Sequence, residues 1–269
     1  MCSSTSSDRG RLESDCRGGM IEARSDLLSP RNQTDPMTIA AKRWKEFRAR
    51  VENKGLKLYE SLMPFPYPMK LWFGTGKPTR LFYFTKPAFI DYLGRQSLFP
   101  KHWIAIERYS IPTPETIATL HLLTQGFRLP LVFVGDLRPI DLTVFALLRR
   151  GTTDFPDTKA RPLPIIYAGI DDRWIALSDR FRRRGNVMPE SRMGDLEREH
   201  VDLLGELAPD LPIRVGNRSW GLLRSGHDVM IEMTYNVGGY RKGYLEQLVA
   251  HLDVIAARAN RAIKFPRDG

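Results

Sequence analysis

The sequence has few cysteines, no long apolar run and no secretory signal. Only Cys2 and Cys16 occur among its 269 residues, and both lie in the polar N-terminal stretch. A core that needs no disulfide indicates a reducing, cytoplasmic location. No apolar run approaches the roughly 20 residues that cross a bilayer, and the first residues lack the apolar centre of a secretory signal. We therefore expect a cytoplasmic protein with no membrane partner.

Several familiar catalytic motifs are also missing. Residues 72–78, WFGTGKP, contain Gly-Thr-Gly-Lys, but they lack the first glycine of a phosphate-binding loop and have Pro78 where Ser or Thr would bind magnesium. We predict a turn there. The five histidines show no metal-ligand spacing. No serine stands in a Gly-x-Ser-x-Gly nucleophile elbow, which argues against an α/β-hydrolase.

Basic residues are abundant, since the net charge is +10 and the pI is about 9.7. Such a charge favours an anionic partner, with nucleic acid first and an anionic membrane surface second, although a solvated basic surface explains it equally well. A basic leading helix contains Lys42, Arg43, Lys45, Arg48 and Arg50. The predicted contacts to a DNA or RNA backbone are arginines in or beside two later helices, mostly at their ends: Arg149, Arg150, Arg173, Arg180, Arg182, Arg183 and Arg184.

The chain divides into three regions. Residues 1–36 are rich in Ser, Arg, Asp and Gly and predict a disordered leader, so Met1, Met20 and Met37 all remain possible starts. Residues 37–78 combine the basic helix, expected over 38–62, with a linker in which Pro64, Pro66 and Pro68 impose an extended backbone. Residues 79–269 show an alternating β/α pattern followed by a helical extension.

The alternation predicts an α/β fold with a mainly parallel sheet of about four strands flanked by helices. The strands are expected at 81–84, 103–107, 129–135 and 164–170, and the helices between them at 87–93, 114–125 and 141–150. Three further helices, at 174–184, 194–207 and 240–264, make the C-terminal part more helical. Glu107 and Asp136 end two of the strands, so they should lie at the same edge of the sheet, where α/β folds place their chemistry.

Residues 81–170 resemble the Toprim domain, particularly that of the A subunit of type IIB DNA topoisomerases and the related meiotic break-forming protein. Phe84-Thr85-Lys86 stands where that family has Val-Glu-Lys, and the segment 111–119, IPTPETIAT, resembles its Gly-x-Pro-Asp-x-Ala-Thr helix start. Residues 136–141, DLRPID, occupy the place of its Asp-x-Asp-Pro-x-Gly turn. Downstream, residues 167–170 resemble its Trp-Leu-Gly strand, and residues 226–232 resemble its Gly-Lys-Lys-Ala-Glu-Ile-Glu helix. In order and spacing the resemblance extends to roughly residue 250.

The resemblance implies a Mg²⁺ site built from acids, and this chain departs from that pattern. The glutamate becomes Thr85, the second aspartate becomes Arg138, the turn glycine becomes Asp141, and Asp136 alone remains. We expect Arg138 to repel Mg²⁺ and to pair with Asp136. Tyr59 and Tyr67 lack basic neighbours that would activate them as nucleophiles.

We therefore expect a degenerate, non-catalytic Toprim-like module that binds nucleic acid in a DNA break, repair or defence assembly, with no cofactor and with a possible protein partner. Whether the chain is an enzyme stays open. One alternative is a Mg²⁺-dependent nuclease with a rearranged site, whose candidate residues are Asp136, Glu107 and Asp141, the first two as metal ligands, with Asp171 and Asp172 within possible reach. In the simpler interpretation, Glu107 pairs with Arg108 or Arg138, and Asp141 caps its helix. Another alternative is a protein-binding scaffold.

Overall fold

The computed structural model describes residues 35–54, 69–109, 111–155, 161–182, 190–235, 241–263 and 265. Within these residues the chain forms ten helices and seven strands. In chain order they are α1 (Pro36–Asn53), β1 (Lys70–Phe73), β2 (Arg80–Phe84), α2 (Pro87–Arg95), β3 (Trp103–Glu107), α3 (Pro114–Phe127), β4 (Leu131–Val134), α4 (Pro139–Arg150), β5 (Ile165–Tyr167), α5 (Asp172–Phe181), β6 (Ser191–Arg192), α6 (Asp195–Leu207), α7 (Leu211–Val215), α8 (Asn217–Arg224), β7 (His227–Asp228), α9 (Ile231–Tyr235) and α10 (Arg241–Ala262).

Five of the strands form one mixed sheet in the order β1-β3-β2-β4-β5. Strands β2, β3, β4 and β5 pair in parallel, and β1 pairs antiparallel with β3. The register aligns Phe84 of β2 with Glu107 of β3 on one side and with Val134 of β4 on the other. The predicted α/β architecture and its four parallel strands are therefore confirmed, and the sheet contains one more strand than expected.

The central strands are buried because their sequences are continuous runs of aromatic and branched side chains. Strands β3 and β4 are buried at every position, and β2 is buried from Leu81 to Phe84. Aromatic rings connect neighbouring strands, with Phe82 4.1 Å from Trp103 and Tyr83 5.7 Å from Phe133 between ring centroids. Such two-sided burial is typical of parallel sheets, whose crossover helices cover both faces.

Local signals determine where the crossover helices begin and end. Thr113 caps α3, since its Oγ1 accepts a hydrogen bond from the backbone N–H of Thr116 at 3.3 Å. Helix α3 continues past the expected stop at Gly126 and ends with Arg128 in the left-handed region at φ 54°. Helix α4 begins at Pro139 rather than at Asp141, because proline suits the first turn of a helix. None of the described helices is long and apolar enough to cross a membrane.

Helix α1 packs against α6 and contributes Trp44 and Phe47 to the core. Both rings lie against the buried imidazole of His200, at centroid distances of 5.2 and 5.4 Å. Burial lowers the pKa of His200 to about 3, so its ring is neutral and pairs with Thr143 Oγ1 at 2.7 Å. The basic helix expected over 38–62 is confirmed from residue 38 to Asn53 and begins at Pro36, and its expected part at 55–62 lies outside the described residues. The expected leader, apart from Asp35 and Pro36, and the proline-rich linker lie outside the described residues.

Strand β1 was not expected from the sequence, which predicted a linker up to residue 78 and a turn at residues 72–78. Its four residues, KLWF, lie between a proline-rich segment and glycines, so no alternating pattern of useful length is visible. The pairing with β3 determines its structure. The turn itself is confirmed in part, since residues 75–76 bend directly after β1.

We expect Gly151→Ala to destabilise the fold by at least about 2 kcal/mol. Gly151 ends α4 at φ +69°, and a Cβ atom there would lie 1.8 Å from the carbonyl oxygen of Arg161. The matched control is Gly126→Ala, because an added Cβ at that helical position meets no atom within 4 Å. The control should leave stability unchanged or raise it by up to about 1 kcal/mol. Urea unfolding of both variants tests this prediction, which is wrong if the two variants have equal stability.

Candidate functional site

The carboxyl edge of the parallel strands brings together a buried cluster of charged side chains. Strand β2 is followed directly by Thr85 and Lys86, and β4 is followed by Gly135 and Asp136. Because β2 and β4 are adjacent and parallel, these residues meet at one edge. Glu107 ends β3 on the other side of β2, so the expectation that it shares an edge with Asp136 is confirmed.

Lys86 is the cation at the centre of this cluster. Its Nζ lies 2.8 Å from Asp136 Oδ2 and 3.7 Å from Glu232 Oε2. Asp136 is only 1% exposed, and its Oδ1 accepts a hydrogen bond of 2.8 Å from the backbone N–H of Ile231. Burial acts to lower the pKa of Lys86, but the Asp136 and Glu232 charges outweigh it and leave that pKa above its ordinary value. The ion pair therefore joins the ends of β2 and β4 to the start of α9.

Arg138 does not pair with Asp136, so that prediction is wrong. Its Nε lies 2.7 Å from Asp228 Oδ2, and its Nη2 lies 3.4 Å from Glu197 Oε1. The physical reason is a short antiparallel bridge between Leu137 and Val229. This bridge sets Arg138 opposite Asp228, so the guanidinium binds β7 and α6 and leaves Asp136 to Lys86.

Asp141 is buried in the first turn of α4 and does not act as its N-cap. The N-cap position belongs to Arg138, so the interpretation of Asp141 as a cap is wrong. Asp141 is 2% exposed, and its Oδ2 has no hydrogen-bond partner among the described residues. Glycine at 135 permits this packing, because a Cβ there would lie 3.0 Å from Thr85 Oγ1 and 3.2 Å from Asp141 Cβ. Burial, and next the Asp136 charge, raise the pKa of Asp141 well above its ordinary range.

Glu107 has its own partners, supplied by the strand that the sequence did not reveal. Its Oε2 accepts a hydrogen bond of 3.0 Å from the indole Nε1 of Trp72, and its Oε1 lies 3.6 Å from Lys70 Nζ. Both partners belong to β1. Arg138 binds elsewhere, so its proposed pairing with Glu107 is wrong. Although it shares the edge with Asp136, Glu107 is therefore engaged on the far side of β2.

Asp171 and Asp172 act as helix caps. Asp171 Oδ1 accepts a hydrogen bond of 2.7 Å from the backbone N–H of Trp174 at the start of α5. Asp172 Oδ1 accepts hydrogen bonds from the backbone N–H and the hydroxyl of Ser219, at 2.7 and 2.8 Å, at the start of α8. Among the described residues, no three or more His, Cys, Asp or Glu side chains are grouped so that they could hold a metal ion.

The arginines predicted to contact nucleic acid fall into three groups. Arg149 pairs with Asp210 through two nitrogens, Arg150 donates to the carbonyl of Leu207, and Arg182 pairs with Asp179 at 2.6 Å. Arg173 and Arg180 are exposed and make no ion pair with a described residue. Arg183 and Arg184 lie outside the described residues.

The basic side chains of α1 are also partly neutralised. Arg43 and Arg50 pair with Glu206 and Glu199 of α6. Arg48 lies 2.8 Å from Asp154. The basic residues of α1 are therefore explained by ion pairs with acidic residues of other segments. The spacing of these residues in the sequence did not reveal those partners.

Sequence reasoning missed Lys86 and Glu232 as members of the site. Lys86 was visible in the motif Phe84-Thr85-Lys86, and its place directly after a strand was a usable signal, because residues there meet at the carboxyl edge. Glu232 ends the segment 226–232 that resembles a helix of the Toprim family. Its approach to Lys86 depends on the packing of α9, for which the sequence gives no signal.

We expect Asp141 to contribute a fall in the free energy of unfolding as the pH rises from about 4, because an unfolded aspartate ionises there while Asp141 in the fold keeps its proton. Buried His200, whose pKa is lowered, contributes the opposite slope up to about pH 6.5, so the Asp141 contribution is obtained as the difference between parent and variant. Asp141 has its folded-state pKa raised, so its contribution is complete at acid pH and is lost as the pH rises through that pKa. Asp141→Asn should flatten this decline and stabilise the protein at neutral and alkaline pH. The exposed Asp91→Asn is the control and should follow the parent profile. Thermal unfolding between pH 4 and pH 9 measures both, and parallel profiles for Asp141→Asn and the parent would contradict the assignment.

Comparison with known proteins shows no family for this chain. No protein-family model matches the chain, and no curated protein matches it either. The site therefore has to be interpreted from its own geometry.

Proposed function

We propose that this chain is a non-catalytic nucleic-acid-binding module with a Toprim-like α/β fold, acting in a DNA break, repair or defence assembly. The observation that carries the non-catalytic half is the position of the Lys86 ammonium between Asp136 and Glu232. The nucleic-acid half is supported by an exposed basic patch on α5 and α10.

The carboxyl-edge cluster does not fit the Mg²⁺ ion that the family resemblance implies. Magnesium needs oxygen ligands at about 2.0–2.1 Å in near-octahedral geometry. Here the ammonium of Lys86 already lies 2.8 Å from Asp136, and Asp141 favours its protonated form. Arg138 adds a second cation bound to Asp228 at the same edge. The acids are therefore neutralised by the chain itself, and the nuclease alternative lacks a set of free carboxylates.

The basic patch consists of Arg173 and Arg180 of α5 and Arg258 of α10, which we call the α5 patch. All three are exposed. Arg173 and Arg180 are seven residues apart, which places them on one face of the helix. Helix α10 packs against α5. The charges of Arg173 and Arg258 both reach His251 of α10, whose pKa is lowered first by burial, raised in part by Asp171 and lowered further by these two arginines.

The helix dipole accounts for Arg180 in the last turn of α5 but not for Arg173. A cation is favoured at the C-terminus of a helix and disfavoured at its N-terminus. Arg173 is the second residue of α5, so its charge opposes the dipole of its own helix. The exposed guanidinium groups are suited to phosphate contacts, which hold the backbone without reading the base sequence.

We expect the purified protein to leave supercoiled plasmid DNA intact with Mg²⁺ or Mn²⁺, because Lys86 neutralises Asp136 and Glu107 is engaged by Lys70 and Trp72. Gel analysis of plasmid incubated with the full chain measures this, with a known nuclease as positive control. Metal-dependent cleavage that disappears in Asp136→Asn, while circular dichroism shows a folded variant, would overturn the proposal and favour the nuclease alternative.

We expect nucleic-acid binding to weaken steeply with salt and to show little sequence preference. Replacing Arg173, Arg180 and Arg258 together by Ala should lower affinity and reduce the salt slope by up to about 3, roughly one for each lost phosphate contact. Fluorescence anisotropy with labelled double-stranded DNA at several salt concentrations gives both quantities.

The matched control removes three positive charges from α1, as Arg43, Arg48 and Arg50 to Ala, since these arginines already pair with acids. Its salt slope should change less than that of the α5 variant. Equal slopes for the two variants would remove the α5 patch as the contact surface. No binding by the parent protein at about 50 mM salt would overturn the nucleic-acid half and leave the scaffold interpretation.

A further inference from the structure

Strand β1 leaves one row of its backbone groups unpaired within the described structure. Its pairing with β3 sets Lys70 opposite Glu107 and Phe73 opposite Ile104. The backbone N–H of Gly74 donates to the carbonyl of Trp103 at 2.9 Å, so the even-numbered residues direct their backbone groups toward β3. The N–H and C=O groups of Leu71 and Phe73 therefore point away from the sheet. They form the outer edge of β1, which is a terminal strand of the sheet.

The side chains beside this edge include two exposed apolar groups. Leu71 is 38% exposed and Phe73 is 59% exposed. They are two residues apart on a strand, so they lie on the same face. Trp72 points to the opposite face, where it binds Glu107. An exposed strand edge with apolar side chains is a template for pairing with another chain.

The surroundings of β1 carry positive charge. Residues 61–90 contain Lys70, Lys77, Arg80 and Lys86 and no Asp or Glu. Lys77 and Lys101 are exposed, and their segments adjoin because the N–H of Gly76 donates to the carbonyl of Lys101 at 2.7 Å. Neither lysine makes an ion pair with a described residue. Lys70 keeps half of its side chain exposed while it pairs with Glu107.

We propose that the outer edge of β1 binds an extended acidic segment of a partner protein as an additional strand of the sheet. Strand addition supplies backbone hydrogen bonds to Leu71 and Phe73, and alternate apolar side chains of the segment cover their side chains. Carboxylates of the segment meet the lysines at both ends of β1. Arg173 and Arg180 of the α5 patch belong to the helix that follows β5, at the other end of the strand order from β1.

Charge and hydrogen bonding favour this occupant over two others. A second copy of the chain paired through its own β1 would bring two lysine-rich edges together, which like-charge repulsion opposes. A nucleic-acid strand offers phosphates to the lysines but no alternating row of donors and acceptors to match the strand edge. An acidic peptide satisfies both features.

The test uses the full chain and a fluorescein-labelled synthetic peptide in which aspartate alternates with valine. Fluorescence anisotropy should show binding that weakens with salt. Phe73→Pro should weaken binding at least about tenfold, because proline removes one outward N–H donor and excludes its hydrogen bond. The pairing with β3 does not use that N–H, and proline is tolerated on edge strands, so the variant should stay folded. Circular dichroism and urea unfolding check this.

Matched variants and peptides separate the contributions. Phe73→Leu keeps the N–H and an apolar side chain, so it should bind like the parent. Lys77→Ala with Lys101→Ala should weaken binding and flatten its salt dependence. A peptide with lysine in place of aspartate, and one with N-methylated amides on the pairing side, should both bind weakly.

Three results would overturn the proposal. The first is no binding of the acidic peptide at concentrations up to about 1 mM. The second is equal binding by folded Phe73→Pro and Phe73→Leu. The third is a concentration-dependent dimer, or binding of labelled oligothymidylate, that Phe73→Pro abolishes while the peptide fails to bind. In this third case the outer edge of β1 would be assigned to a second copy of the chain or to nucleic acid.

Discussion

The buried ion pair between Lys86 and Asp136 is the interaction on which the candidate site depends. It connects the ends of β2 and β4, and the N–H of Ile231 adds the start of α9 to the same carboxylate. Removing one partner of such a pair leaves an uncompensated buried charge and costs about 3–5 kcal/mol, although the pair itself adds little net stability. Its effect is to determine which charged side chains pair at the carboxyl edge of the sheet. With Lys86 in place, the charge of Asp136 is compensated and each of its oxygens already has a contact within the chain.

The same ion pair bears on the protonation of Asp141 and on the choice of partner of Arg138. Asp141 lies close to Asp136 in a buried place, and two adjacent carboxylates cannot both ionise cheaply. Burial raises the pKa of both acids, and the Lys86 charge offsets part of this rise for Asp136, so the rise is larger for Asp141. Arg138 is directed away by the bridge between Leu137 and Val229 and neutralises Asp228 instead. Lys86 and Arg138 are therefore each matched to acids from other parts of the chain.

The sequence predicted the parallel strands well because they are continuous apolar runs, largely buried, and separated by helices with clear starts. It predicted the shared edge of Glu107 and Asp136 for the same reason, since parallel strands end on one side. It failed where a partner comes from a distant segment. Lys70 reaches Glu107 through β1, Asp228 reaches Arg138 through a single bridge, and Glu232 reaches Lys86 through the packing of α9. Nothing in the local pattern of a strand or helix specifies such contacts.

Internal neutralisation also changes the meaning of the net charge of +10. Many of the cations that suggested a nucleic-acid surface form ion pairs within the chain, as Arg149 does with Asp210 and Arg50 does with Glu199. An ion-paired arginine must break its contact before it binds a phosphate, so it contributes less to binding than an exposed one. Exposed cations that make no ion pair with a described residue occur at several places on the fold, among them Arg173, Arg180 and Arg258 of the α5 patch and Lys77 and Lys101 beside β1. The carboxyl edge, where a parallel α/β fold usually places its chemistry, is closed by the chain's own lysine and arginine, and the surfaces proposed for binding lie elsewhere on the fold.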